Sequence, residues 1–207
     1  MSRIVNEPYK KNLSERMEIE QIICQTYPVS DESISQLKSK LHPLKLKKKE
    51  VLLHEGARDR NFYFLREGIM RCYHNMPDRE QTLWFAVGGD IFRSMRSYFH
   101  NEPAVFSIEA LTDADILYIE HDDLEELFGC LLDLSNWARM LAFEELNCQE
   151  WKYERLGDGD IYAKYKAFLG MRSPEFIMQI PQKYIASYLG CTPSTLSRVR
   201  YKLLNEE

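Results

Sequence analysis

The segment IPQKYIASYLGCTPSTLSRVRYKLL, residues 180 to 204, constrains the fold of this chain more than any other stretch. Its apolar residues Ile185, Leu189, Leu196, Val199 and Leu203 can all point inward only if two short helices cross. Ala186 permits the close approach of such a crossing. Gly190, four residues on, supplies the positive φ that ends the first helix in a tight turn. Thr192 can cap the second helix, and Pro193 sits in its first turn, where a missing amide costs nothing. The spacing predicts a helix-turn-helix over Gln182 to Leu203.

Such a motif lays the start of its second helix in the DNA major groove while the first helix crosses the phosphate backbone. Ser194, Thr195, Ser197 and Arg198 lie on the outward face of the second helix, and Arg198 suits a bidentate contact to guanine. Lys183, Thr192, Arg200 and Lys202 are placed for phosphates. The net charge of -5 argues against an acidic partner, but the charge is uneven. Residues 158 to 207 carry seven Lys and Arg against five acids, and Gln182 to Leu204 holds four cations and no acid. A local basic surface is what phosphate contact requires.

Upstream, the pattern divides the chain. A charged stretch from Tyr9 to Gln25 and a second beginning at Ser30-Asp31-Glu32 are expected to be helices. Short aromatic and β-branched runs then follow at 51 to 54, 61 to 65, 69 to 73, 82 to 87, 105 to 111 and 116 to 119, separated by turn residues. They predict a small antiparallel barrel or jelly roll. After Asp122 the pattern is helical to about Leu156, with Gly129 as the only break. Leu131, Leu134, Ala138, Leu141, Glu145 and Cys148 form a stripe on a helix roughly 39 Å long at ~1.5 Å per residue. A helix of that length is read as a dimerisation spine through residues 131 to 156, although a core helix against its own barrel fits the stripe as well. Gly157-Asp158-Gly159-Asp160 is the expected hinge. The expected fold is α+β, in three parts: N-terminal helices and a β-roll effector-sensing domain over 1–128, the long dimerisation helix over 129–157, and a winged helix-turn-helix over 158–207.

Roll, long helix and terminal helix-turn-helix together resemble the Crp/Fnr family of transcription regulators, over about Leu44 to Leu204. The resemblance rests on Glu55-Gly56, FYFLREG at 62 to 68, Gly88-Gly89-Asp90 and QKYIASYLGCTPSTLSRVR. It implies a cyclic-nucleotide-binding-like jelly roll, a homodimer and a near-palindromic operator with half-sites about 34 to 36 Å apart. RNA polymerase is a candidate partner. Any wing is expected from Phe176 to Ile180. Classical members bind cyclic AMP through a Gly-Glu-Leu turn and a downstream Arg-Ser-Ala. Here the corresponding segments read Arg93-Ser94-Met95 and Pro103-Ala104-Val105-Phe106, so that contact set is missing. Arg93, Ser94, Arg96 and Phe106 are the residues left to line an effector pocket, for an unknown small molecule.

Neither a metal nor another cofactor is expected. Cys24 stands alone near the N-terminus, too few thiols for an iron-sulfur sensor, and Cys72-x-His74 offers two ligands without a third. The five scattered cysteines suggest reduced thiols, and the absence of a long apolar run or a signal-like start suggests a cytoplasmic protein without membrane contact. Two alternatives remain open: a cyclic-nucleotide-responsive regulator with a non-standard pocket, and a cupin-like metal enzyme. The latter needs a cluster of His and carboxylate that the roll does not offer, so the chain is not expected to be an enzyme.

Overall fold

The structure, a computed structural model, describes residues 16–157, 159–171 and 173–205. Two short helices lead in, α1 (Ile19–Cys24) and α2 (Asp31–Ser39), the second started by Ser30, whose side chain accepts from the Ser33 amide. The expected helix from Tyr9 begins outside the described residues.

The roll follows: β1 (His42–Leu46), β2 (Val51–Leu53), β3 (Phe62–Glu67), β4 (Ile69–Asn75), β5 (Glu80–Val87), β6 (Ile91–Phe92), α3 (Met95–His100), β7 (Ser107–Ala110) and β8 (Ala114–Ile119). The strands form two four-stranded antiparallel sheets, in the orders β1-β8-β3-β6 and β2-β7-β4-β5. All six expected strands are present. β1 and β6 were not anticipated, because Pro43 and Lys45 obscure the first and two residues are too few to show a period.

Successive strand residues point to opposite faces, and each sheet buries both. In the first sheet Tyr63 and Leu65 enter the roll interior, while Phe62 and Phe64 pack beneath α1, α2 and the helices that follow the roll. In the second sheet Met70 and Cys72 face the interior, while Ile69, Phe85 and Val87 join a third core with the C-terminal helices. In the roll, Gly68 and Gly88 stand where backbone approaches closely: at φ +102° a Cβ on Gly68 would lie 2.5 Å from the Asp113 carbonyl oxygen.

Two helices continue from the roll, α4 (His121–Cys130) and α5 (Leu132–Leu156). The break falls at Leu131, extended at φ −116°, and not at Gly129, which lies inside α4. Ser135 Oγ donates to the Phe128 carbonyl at 2.5 Å, satisfying an acceptor left open at the end of α4. The 25 residues of α5 span about 37 Å. Leu131, Leu134, Ala138 and Leu141, four residues of the expected stripe, pack into the first core beside Trp137. That stripe therefore holds α5 on its own roll. The face left open carries Leu132, Phe143, Leu146 and Tyr153.

The chain closes with α6 (Ile161–Met171), α7 (Pro174–Gln179), α8 (Gln182–Tyr188) and α9 (Pro193–Leu204). The expected wing over Phe176 to Ile180 is not formed. Ser173 accepts from the Phe176 amide and Pro174 occupies the first turn, which starts a helix, and Phe176 is buried in the third core. No described residue of this part lies in a strand.

Candidate nucleic-acid interface

The turn between α8 and α9 is built by two backbone hydrogen bonds. Cys191 N–H donates to the Ala186 carbonyl at 2.9 Å and Gly190 N–H to the Ser187 carbonyl at 3.2 Å. This is the Schellman ending of a helix, which needs the left-handed conformation that Gly190 supplies at φ +72°. Ala186, Ile185, Leu189 and Leu196 are buried between the helices, so that close packing fixes their crossing. Thr192 Oγ1 then accepts from the Thr195 amide at 3.2 Å and lies 2.9 Å from the hydroxyls of both Ser194 and Thr195.

Ser194, Ser197 and Arg198 are exposed on α9, as are Thr192 and Lys202, whereas Thr195 and Arg200 are half-buried. Arg198 forms no ion pair among the described residues. Lys183 is exposed at the start of α8 with its ammonium 4.7 Å from the centre of the Tyr184 ring, and Lys202 lies 5.0 Å from that of Tyr162.

Sequence reasoning missed how firmly this unit is attached to the roll. Ser187 Oγ accepts from the Thr82 amide at 2.8 Å and donates to the Glu80 carbonyl at 2.6 Å, so α8 is tied to the edge strand β5. Beside it Arg71 is buried to 1% exposure, with Nη1 2.7 Å from Glu80 and 2.8 Å from Glu109, and Nε donating to Thr82 at 2.9 Å. Its guanidinium lies 4.4 Å from the centre of the Tyr73 ring and 3.8 Å from that of Tyr184 on α8. A charged residue inside the apolar run IMRCY was the available signal.

The four residues expected to line an effector pocket are not brought together. Arg93 turns to α5 and forms a two-pronged pair with Glu145, at 2.9 and 3.1 Å. Ser94 is buried as the cap of α3, Arg96 is exposed and paired with Glu102, and Phe106 packs on Trp84. Inside the roll Tyr63 stacks on Phe92 at 5.4 Å, and Trp84 meets Phe92 at 5.8 Å. The residues present do not fit a cyclic nucleotide held in the classical way, since Arg93 is already committed to a carboxylate and aromatic rings occupy the interior. Cys72 is buried, which pushes its thiol up, and His74 Nδ1 lies 2.9 Å from the Val105 carbonyl oxygen and 3.0 Å from Glu55. Among the described residues no three His, Cys, Asp or Glu side chains gather to hold a metal ion, and no helix is long and apolar enough to cross a membrane.

Residues 43–129 match the family model of the cyclic nucleotide-binding domain. Regulatory protein HlyX of Actinobacillus pleuropneumoniae is 24% identical over 86% of this chain and 78% of its own length. Nitrogen fixation regulation protein FixK of Bradyrhizobium diazoefficiens is 29% identical over 74% of this chain and 68% of its own. Among solved structures, the c-di-GMP responsive global regulator CLP of Xanthomonas campestris superposes with a TM-score of 0.66 at 18% identity, covering 86% of this chain and 93% of that one. A β-roll of the cyclic nucleotide-binding type joined by a long helix to a helix-turn-helix defines a transcription regulator. Residues 43–129 are a domain of the cyclic nucleotide-binding type, and over most of its length the chain is similar to regulatory proteins of the Crp/Fnr type.

Proposed function

We propose that the protein is a homodimeric, sequence-specific regulator whose roll does not respond to cyclic AMP. The observation that carries the DNA assignment is the exposed first half of α9, where Ser194, Ser197 and Arg198 face outward from a capped, rigidly turned helix. Arg198 reads one base in each half-site, a bidentate contact to guanine worth about 1 to 3 kcal/mol of discrimination. Ser194, Thr195 and Ser197 touch bases or sugar-phosphate, and Lys183, Thr192, Arg200 and Lys202 hold phosphates.

Dimerisation is assigned to residues 131–156, on the open face of α5. Leu132, Phe143, Leu146 and Tyr153 are each more than half exposed and fall at the a and d positions of a heptad, the seam of a two-helix contact. The functional units are then the helices and roll to residue 128, the dimer helix over 129–157, and the reading head over 158–207. Such a dimer works in the cytoplasm and, once on its operator, stands where RNA polymerase can meet it. Its signal is a small molecule other than cyclic AMP, or none.

Selection of bound duplexes from a random pool tests this reading. The expected product is a near-palindrome with half-sites about 34 to 36 Å apart. Arg198→Ala relaxes preference at one base per half-site. Lys183→Ala weakens all duplexes alike and lowers the salt dependence by about one unit. If no duplex is enriched over the starting pool, the reading fails.

A further inference from the structure

A cleft of about 420 Å³ lies between the β4–β5 turn and the helix-turn-helix. Arg79 and Glu80 line it from the roll, Lys183 and Tyr184 from α8, and Thr192 and Pro193 from the start of α9. Two of these, Lys183 and Thr192, belong to the surface assigned to DNA. The cleft therefore joins the roll to that surface.

Two exposed cations, Arg79 and Lys183, line it. Glu80, the acid nearest to Arg79 along the strand, shares buried Arg71 with Glu109, at 2.7 and 2.8 Å, which offsets its charge in part. Asp78 in the turn is exposed to solvent, where screening weakens it. Arg79 itself is exposed and forms no ion pair among the described residues. Its position is also fixed. The Glu80 carbonyl, on the next residue, accepts from Ser187 Oγ, and Lys183 stands four residues before Ser187 on the same face of α8. The roll thus presents Arg79 alongside the face of α8 that carries Lys183. The first helix of a helix-turn-helix crosses the phosphate backbone, so a strand of DNA engaging Lys183 passes this cation as well.

We infer that Arg79, a residue of the sensor roll, is a DNA phosphate contact, and that the β4–β5 turn forms part of the operator-binding surface. The inference rests on the DNA reading of α8 and α9 above. It adds one cation to the interface and makes affinity depend on the docking of the reading head against the roll, because Arg79 reaches the backbone only while Ser187 holds β5.

The test uses the full chain and a duplex recovered by selection, with affinity measured by fluorescence anisotropy from about 50 to 200 mM salt. Arg79→Ala should weaken the selected duplex and an unrelated duplex by the same factor and flatten the salt slope by about one unit. Arg79→Lys should retain most of the slope, and Arg79→Glu should weaken binding beyond Arg79→Ala. Lys45→Ala, on β1 in the other sheet, is the charge-matched control and should leave binding unchanged. If Arg79→Ala binds as wild type with the same slope while Lys183→Ala flattens it, the inference is wrong and the regulator reading stands. A loss confined to the selected duplex with an unchanged slope would overturn the phosphate assignment. Failure of the wild-type chain to bind any duplex would remove the regulator reading itself.

Discussion

Arg93 and Glu145 face each other across the junction of roll and long helix, joined by parallel hydrogen bonds of 2.9 and 3.1 Å, with the guanidinium 4.8 Å from the centre of the Phe62 ring. The arginine is 7% exposed and the glutamate 38%. Glu145 alone breaks the apolar character of the α5 stripe, and this pair is the reason: it is the position that meets Arg93, the cation over the Phe62 ring. Arg93→Ala removes both bonds and the ring contact. Glu145 can rehydrate, so the expected loss is about 1.5 to 3 kcal/mol, below that of a fully buried pair. A melting temperature lower by about 2 to 4 °C per kcal/mol checks it, and Glu145→Gln should cost less. Cyclic AMP should not raise the melting temperature of the wild-type chain, since strong saturable stabilisation would require this pair to open.

Gly190 tests the turn without touching the DNA face. A Cβ built on it meets nothing within 4 Å, so space is not the obstacle and the cost of Gly190→Ala is the left-handed φ of +72° alone, about 1 to 2 kcal/mol. Gly190→Asn should lose less, since asparagine tolerates that region. Urea denaturation of the two variants against wild type measures both. Equal stability of all three would mean that the turn relaxes out of the Schellman geometry.

The helix-turn-helix was legible because each of its constraints is local: a cap, a proline, a glycine and an apolar period fall within one stretch of chain. The strands were legible for the same reason, through aromatic and β-branched runs. What escaped was the identity of each buried face. Leu134 and Leu141 look the same whether they meet a second copy or the chain's own roll, and only the fold shows that Trp137 and Phe64 cover them. Arg93 and Arg71 were hidden likewise, since their partners lie 52 residues away in Glu145 and 38 residues away in Glu109. The wing expected over Phe176 to Ile180 overlooked Ser173-Pro174, which marks a helix start.

Asp133 gives the fold an acid-sensitive joint. Burial alone would raise its carboxyl, but donors outweigh that: the Ser30 amide at 2.9 Å, the Ser33 hydroxyl at 2.7 Å and the Leu134 amide at 2.8 Å bring it down to about 2. A folded pKa below the ordinary 3.8 means that the ionised form stabilises the fold. That contribution is present above pH 3.8 and is lost as pH falls toward about 2. Asp133→Asn should therefore be less stable than wild type at neutral pH, and the gap should narrow through this window. Thermal melts across pH measure it. A gap that stays constant would show that the charge is not what holds α2 to α5.

Arg71 joins two modules through one side chain, and its removal should separate them. Arg71→Ala strips the partner from Glu109, which is only 14% exposed, and takes away the ring contact to Tyr184. Leaving such a carboxylate unpaired costs about 3 to 5 kcal/mol when buried, and the partly exposed Glu80 adds little. The carboxylate loss falls on the roll's second sheet, where Glu80 and Glu109 lie, and the loss of the Tyr184 contact falls on its interface with α8. Calorimetry should accordingly show a lowered roll transition, with the C-terminal helices melting in a separate, earlier one. Arg71→Lys should not restore a single transition, because an ammonium can neither bridge Thr82, Glu80 and Glu109 together nor lie flat between two tyrosine rings. A single transition in Arg71→Ala, lowered as a whole, would mean that the third core alone, around Phe85, Phe168 and Phe176, keeps roll and reading head as one cooperative unit.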